Sequence, residues 1–237
     1  MAVDRYVVLS DLSGGSSPKS FDEWFDAHVA EFLAIPGIVA AQSYELEPSV
    51  VDPAAPTTYR VAAIFEIERR PLDLPAWWEG ARLASWVAAP IGECVTTDGS
   101  GSSARRQIVF SDPGPGVTDE SLDTWYAAHV HEILSIPGFT AARRYRLEPR
   151  VVDHRAPIPQ RRLAVYEVDR APEELRAEME RLDLLSAGSY ERLKEDPGDP
   201  GPPLPKWWPQ VRFASWDLIP RGPRTEAVAA GSGPGRI

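Results

Sequence analysis

A self-overlap constrains this chain more than any other feature. Shifted against itself by 101 residues, the sequence aligns 22–52 with 123–153. Trp24, His28, Glu31, Pro36, Gly37, Tyr44, Leu46, Glu47, Pro48 and Asp52 recur as Trp125, His129, Glu132, Pro137, Gly138, Tyr145, Leu147, Glu148, Pro149 and Asp153. The same shift carries Val7-Val8-Leu9-Ser10-Asp11 onto Ile108-Val109-Phe110-Ser111-Asp112, and Phe65-Glu66-Ile67 onto Tyr166-Glu167-Val168. A shift of 130 carries Trp77-Trp78 onto Trp207-Trp208 and 82–86 onto 212–216, so a difference of 29 residues lies between Arg70 and Trp207. Agreement this dense reads as an internal duplication, which must be found before any element is assigned.

The reading that follows makes 1–98 the first repeat, 99–104 a Gly/Ser linker, 105–221 the second repeat and 222–237 a mobile tail. Each repeat reads strand, helix, strand, strand, optional helix, strand. Short β-branched runs at 5–9 and 106–110 predict first strands. Apolar residues at Phe21, Trp24, Phe25, Val29, Phe32 and Leu33 give a helical stripe over 20–35, matched at 119–136. Pro36-Gly37 and Pro137-Gly138 stop these helices. Further strands are expected at 39–47, 59–68 and 81–88, and at 140–148, 162–169 and 211–218. A second helix is expected at 172–193, opening on Pro172 with Glu173 and Glu174 behind it; only 71–75 is left for it in the first repeat. This order is the ferredoxin-like plan, so an α+β fold is predicted, with helices on one face of each sheet. The free faces of two such sheets bury one another, making an intrachain α+β barrel with its helices outside. A monomer is then already a pseudo-dimer, with a homodimer as the alternative.

Charge narrows the partners. The formal net charge is −10 with no basic stripe, which argues against nucleic acid or an anionic membrane surface. The single Cys94 excludes an intrachain disulfide and a Cys-based metal cluster, and is expected to be a small packing residue. The first residues carry too short an apolar run for a signal peptide, and nothing approaches a membrane span, so the chain is expected to be cytoplasmic. Neither a Gly-rich phosphate loop nor a Gly-x-Ser-x-Gly elbow occurs, and His and acids show no metal-ligand spacing.

The run FSDPGPGVTDESLDTWYAAHVHEILSIPGFTAARRYRLEP resembles the EthD-like branch of the dimeric α+β barrel superfamily. FDEWFDAHVAEFLAIPGIVAAQSYELEP shows the same pattern, with Phe25 for Tyr and Ile38 for Phe. The resemblance covers roughly 4–93 and 105–220 and speaks to fold more than to chemistry. Members include cofactor-independent monooxygenases, lactone isomerases, polyketide cyclases, decarboxylases, dehydratases and haem-handling enzymes. It implies a ligand held in the cleft between helix and sheet, with no cofactor needed.

His129 and His28 are the candidate catalytic residues. Each lies four residues after a Trp, on the helical face expected to meet the sheet, where an imidazole can take or give a proton near neutral pH. Glu132 and Glu31, three residues on, could orient each ring. The competing reading is a buried His that ties its helix to a strand. Trp125, Tyr126 and Trp24 on the helices, with Tyr145 and Tyr44 on second strands, are the nearer candidate substrate contacts. Tyr166, Glu167, Trp216 and Trp86 on third and fourth strands complete the set. Aromatic side chains fill cores at least as often as they line pockets. Glu66 and Glu167 would instead pair with Arg82 and Arg212 if structural. The expected activity is cofactor-free proton transfer on a hydrophobic, aromatic or polyketide-like small molecule, giving cyclisation, dehydration, decarboxylation or isomerisation. A cofactor-free monooxygenase and a non-catalytic binding or assembly protein are the alternatives. Trp125, Tyr126 and His129 follow the family pattern more closely, so the second repeat is favoured as the site.

Overall fold

The computed structural model describes residues 3–11, 18–49, 59–68, 83–97, 105–151, 161–182 and 201–227. Alternation along the first strand already shows why both faces of the sheet are covered. In β1 (Asp4–Ser10), Val7 and Leu9 enter one apolar cluster while Tyr6 and Val8 enter another. The elements that follow are α1 (Pro18–Leu33), β2 (Ile38–Pro48), β3 (Val61–Ile67) and β4 (Leu83–Thr96). Then come β5 (Arg106–Asp112), α2 (Asp119–Leu134), β6 (Phe139–Val151), β7 (Arg162–Val168), α3 (Pro172–Arg181), β8 (Arg212–Pro220) and the two-residue β9 (Thr225–Glu226).

Local chemistry sets the helix limits. The Thr118 side chain caps α2 by accepting from the Ser121 N–H at 3.1 Å, and Asp119 and Glu120 complement the positive end of the helix. Pro172 opens α3, where the Glu174 carboxylate accepts the Ala171 N–H at 3.0 Å. Past α1 and α2 the chain turns at Gly37 and Gly138 with φ of 99° and 112°, backbone that side chains with a Cβ avoid.

Strand order is β3-β1-β4-β6-β7-β5-β8-β2, and β3 pairs again with β2, so the ring closes on itself. All the pairings are antiparallel. Two seams join the halves: β4 to β6, with Ala88 opposite Leu147, and β2 to β8, with Leu46 opposite Leu218. The interior cluster draws from both halves, with Trp86, Phe110, Tyr145 and Trp216 among its largest members. Eight strands leave a lumen about as wide as the side chains that fill it. Outside, α1 buries Phe21, Phe25 and Phe32 against the first half, and α2 and α3 bury Leu122, Tyr126, Leu175 and Met179 against the second. Each such side chain stabilises by roughly 1.5–3 kcal/mol relative to exposure.

The expected α+β fold of two ferredoxin-like repeats is therefore corrected. The backbone forms one closed eight-stranded antiparallel barrel, mostly sheet, with three helices among the described residues. The physical reason lies at the seams. Two open sheets would each leave β2-type and β4-type edges with unpaired backbone groups, and pairing across the halves removes every edge. Closure also lengthens β4 to Thr96, well past the predicted end at 88, because β6 offers it a partner as far as Ala141.

Cys94 falls on that extension and is exposed, which corrects its expected packing role. Thr225–Glu226, within the stretch assigned to the tail, pairs with Ala40–Ala41 of β2. Trp77, Trp78, Arg82, the 71–75 segment, the 99–104 linker and the 183–193 part of the second helix lie outside the described residues. No helix among the described residues is long and apolar enough to cross a membrane.

Candidate functional site

The α2 helix carries the most concentrated set of site candidates. His129 is buried, and its Nδ1 stands 2.9 Å from Oε2 of Glu132, one turn on along the helix. With the carboxylate ionised, Nδ1–H donates to it, which puts the neutral ring's basic lone pair on Nε2. The Trp125 indole stacks on the imidazole at 4.6 Å and 17°, and the Tyr126 ring meets it edge-on at 5.4 Å. Trp125 is itself held: its Nε1–H donates to the Pro203 carbonyl at 3.1 Å, and Trp208 packs 4.8 Å away. An imidazole caged by a carboxylate and two aromatic rings keeps one orientation.

The first half does otherwise with the same residue types. His28 Nδ1–H donates to the Trp24 carbonyl at 2.6 Å, the ring tilts over Trp24 at 4.2 Å, and Glu31 is exposed. Trp24 and His28 are only half-buried. The backbone oxygen thus does for His28 what Glu132 does for His129, without a charge.

Between α2 and the sheet, Tyr126 and Tyr166 share a hydrogen bond, and burial pushes the Tyr126 hydroxyl up to about 12 against the opposing effects of Tyr166 and Arg144. Beside them Arg162 holds Asp123 with two hydrogen bonds of 2.6 and 2.9 Å. The seam here retains a cavity of only about 10 Å³, room for about one water.

Tyr44, Tyr145, Trp86 and Trp216 lie on the opposite side of the sheet, in the barrel interior, so they do not join His129. Burial raises the Tyr44 and Tyr145 hydroxyls above their ordinary range, with Arg106 and Arg5 pulling the other way. Glu167 pairs with Arg106 at 3.0 Å rather than with Arg212, which meets Asp112. Glu66 pairs with Arg224 at 2.8 Å. Sequence reasoning passed over Arg5, Arg106 and Arg224, which surround a cavity of about 200 Å³ with Tyr44 and Glu66. The signal was present in part, since Arg5 and Arg106 open the two first strands at the 101-residue shift. No cluster of three or more His, Cys, Asp or Glu able to hold a metal occurs among the described residues.

No protein-family model matches the chain, and no curated protein does. Among solved structures, it is similar to an anthrone oxidase-like protein, at 9% identity and a TM-score of 0.49 over 97% of this chain and 96% of that one. A candidate monooxygenase of Lactobacillus acidophilus NCFM follows at 10% identity and 0.43, over 92% and 93% of the two chains. Another, from Fusobacterium nucleatum, stands at 7% and 0.38, over 92% and 91%. Likeness at this level says nothing of chemistry.

Proposed function

We propose that the chain is a small-molecule enzyme in which His129, oriented by Glu132, moves a proton on an aromatic or polyketide-like substrate. The carrying observation is the 2.9 Å contact between Nδ1 and Oε2 with both side chains buried. A fixed ring with a carboxylate behind it is the arrangement a general base needs, since the imidazolium formed on proton uptake gains a charge partner at once. Proton removal from a carbon or phenol beside a carbonyl would serve a cyclisation, dehydration or decarboxylation. His28, whose Nδ1–H donates to a backbone carbonyl, is assigned a structural role.

A second reading is favoured by the filled seam of about 10 Å³: His129 and Glu132 would then fix α2 in a protein that binds without turning over. The two part company in one experiment. Purified protein is offered a panel of aromatic and polyketide-derived acids and ketones, with products read by mass spectrometry and dioxygen uptake recorded alongside. His129→Ala is expected to lower kcat at least 100-fold, the lower end of what general-base loss costs, while His28→Ala leaves it within a few-fold. A folded His129→Ala enzyme with full turnover would falsify the assignment. Uptake of dioxygen with substrate would redirect the same deprotonation toward cofactor-free oxygenation.

A further inference from the structure

We propose that the mouth of the barrel between β1, β2, β3 and β5 is a binding site for a small monocarboxylate, held by Arg5. The site shares no residue with the His129–Glu132 pair, so either proposal can fail without the other.

Arg5 stands opposite Glu66 on β3, as Arg106 stands opposite Glu167 on β7. Two equivalent ion pairs are the natural expectation. The second forms, at 3.0 Å, with side chains 14% and 27% exposed. The first does not. Arg224, on the segment that leads into β9, takes both oxygens of Glu66, at 2.8 and 3.4 Å, and also holds Glu226 at 2.7 Å. Arg5 makes no hydrogen bond or ion pair among the described residues. Its guanidinium instead lies over the Tyr145 ring, 5.8 Å from the centroid.

The cavity of about 200 Å³ is lined by Arg5, Arg106 and Arg224 together with Glu66, Tyr44 and Ile64. Among the described residues Arg106 contacts Glu167, Arg224 contacts Glu66 and the 75% exposed Glu226, and Arg5 contacts no carboxylate. Arg5 is thus the guanidinium of this cavity that lacks one, on a chain whose net charge is −10 and which has carboxylates to spare. A half-buried cation left uncompensated gains most from an anion that displaces its remaining water. The planar fork of a guanidinium matches a carboxylate with two parallel hydrogen bonds. Tyr44 and Ile64 supply an apolar wall for the rest of the ligand. The volume falls below the roughly 300–1,000 Å³ of drug-sized pockets, which selects a small acid. The Tyr145 hydroxyl, buried beside that guanidinium, has no hydrogen-bond partner among the described residues. The plainer alternative is that Arg5 only stacks on Tyr145 as a cation–π contact, and it predicts no preference for anions.

Calorimetric titration of the full chain with benzoate tests this, with benzamide as the uncharged isostere. Saturable benzoate binding is expected, at least tenfold tighter than benzamide and weakened by added salt. Arg5→Gln should lose at least tenfold in benzoate affinity. Glu66→Gln, which removes a competing carboxylate, should tighten it severalfold. Equal binding of the two probes, no benzoate heat at millimolar concentration, or an Arg5→Gln protein that binds benzoate unchanged would overturn the proposal. The wild-type comparison and the Glu66→Gln variant keep the test decisive even where Arg5→Gln fails to fold.

Discussion

Nδ1 of His129 stands 2.9 Å from Oε2 of Glu132, with the two side chains 10% and 5% exposed, while the matched Glu31 is exposed and His28 bonds a backbone carbonyl. The same spacing in sequence thus gives a buried charge contact on one helix and a neutral one on the other. Removing a buried partner costs the desolvation of whatever it leaves behind. Glu132→Ala is expected to destabilise by about 1–3 kcal/mol, whereas Glu31→Ala stays within about 0.5 kcal/mol. Urea denaturation midpoints of the two variants, at unchanged m-value, check the contrast. Equal midpoints would mean that the contact contributes nothing to the fold.

Two buried phenols give the fold an alkaline limit. Burial pushes Tyr6 up to about 12, opposed by its 2.8 Å hydrogen bond to Ser85, and pushes Tyr126 to about 12 as well. In the unfolded chain both ionise near 10. Below that both states hold the protons and nothing is lost. Between 10 and about 12 the unfolded chain releases protons that the folded chain keeps, so stability falls as pH rises, by roughly 3 kcal/mol per tyrosine across the window. Tyr6→Phe should cost about 1 kcal/mol near neutrality, through the lost hydrogen bond, yet fall less steeply above pH 10. Denaturation curves taken at increasing alkaline pH should therefore show wild type and variant converging. Parallel curves would place the Tyr6 proton in an ordinary environment.

What the residues disclosed was local. Pro137-Gly138 marked the end of α2, and Gly138 takes the left-handed backbone that this stop requires. The first strands were placed to within two residues at either end, because their β-branched runs are short and bounded. Pairing across the halves was not written locally. Leu46 meets Leu218 and Ala88 meets Leu147 only once the ring closes, and closure is a property of all eight strands together. For the same reason Glu66 meets Arg224, 158 residues away, a partner that no local pattern marks. Nothing local says that Trp86 and Trp216, candidate substrate contacts, lie in the interior, across the sheet from His129. Exposure of Cys94 was equally hidden, since it depends on β4 running past the barrel wall.

Closure itself can be tested at one buried polar knot. The Gln107 side chain on β5 donates from Nε2 to Ser49 Oγ at 2.8 Å and to Asp217 Oδ1 on β8 at 3.0 Å, and all three residues are buried. Ser49 follows β2, so this single amide ties the two halves at their second seam. Gln107→Leu keeps the volume but takes away a donor to a buried carboxylate, which should cost about 1.5–3 kcal/mol. Gln107→Leu combined with Asp217→Leu should recover part of that loss, since the carboxylate that lost its donor is gone. Thermal melts of the single and double variants decide it. A double variant less stable than the sum of its parts would show that Asp217 serves another purpose.

A glycine just ahead of α2 abuts the turn that carries the cover over His129. Gly114 adopts φ of +67°, and a Cβ there would collide with the backbone carbonyl of Gln210. Gln210 ends the short 3-10 turn Trp208–Gln210, from which the Trp208 ring reaches Trp125 at 4.8 Å and Phe213 at 4.9 Å. Trp125 in turn stacks on His129. Gly114→Ala must therefore shift that turn, and the tryptophans move with it. Gly116 is the internal control: its φ is +80°, but a Cβ there meets nothing within 4 Å. Gly116→Ala should cost only the left-handed strain, about 1–2 kcal/mol, and leave the near-ultraviolet circular dichroism of the tryptophans intact. Gly114→Ala should cost more and change that signal, because backbone cannot swing aside as a side chain can. On the proposed activity, Gly114→Ala should lower kcat with no substitution near the imidazole, and Gly116→Ala should not. Identical spectra for the two would break the link between this loop and the His129 cage, whatever their stabilities.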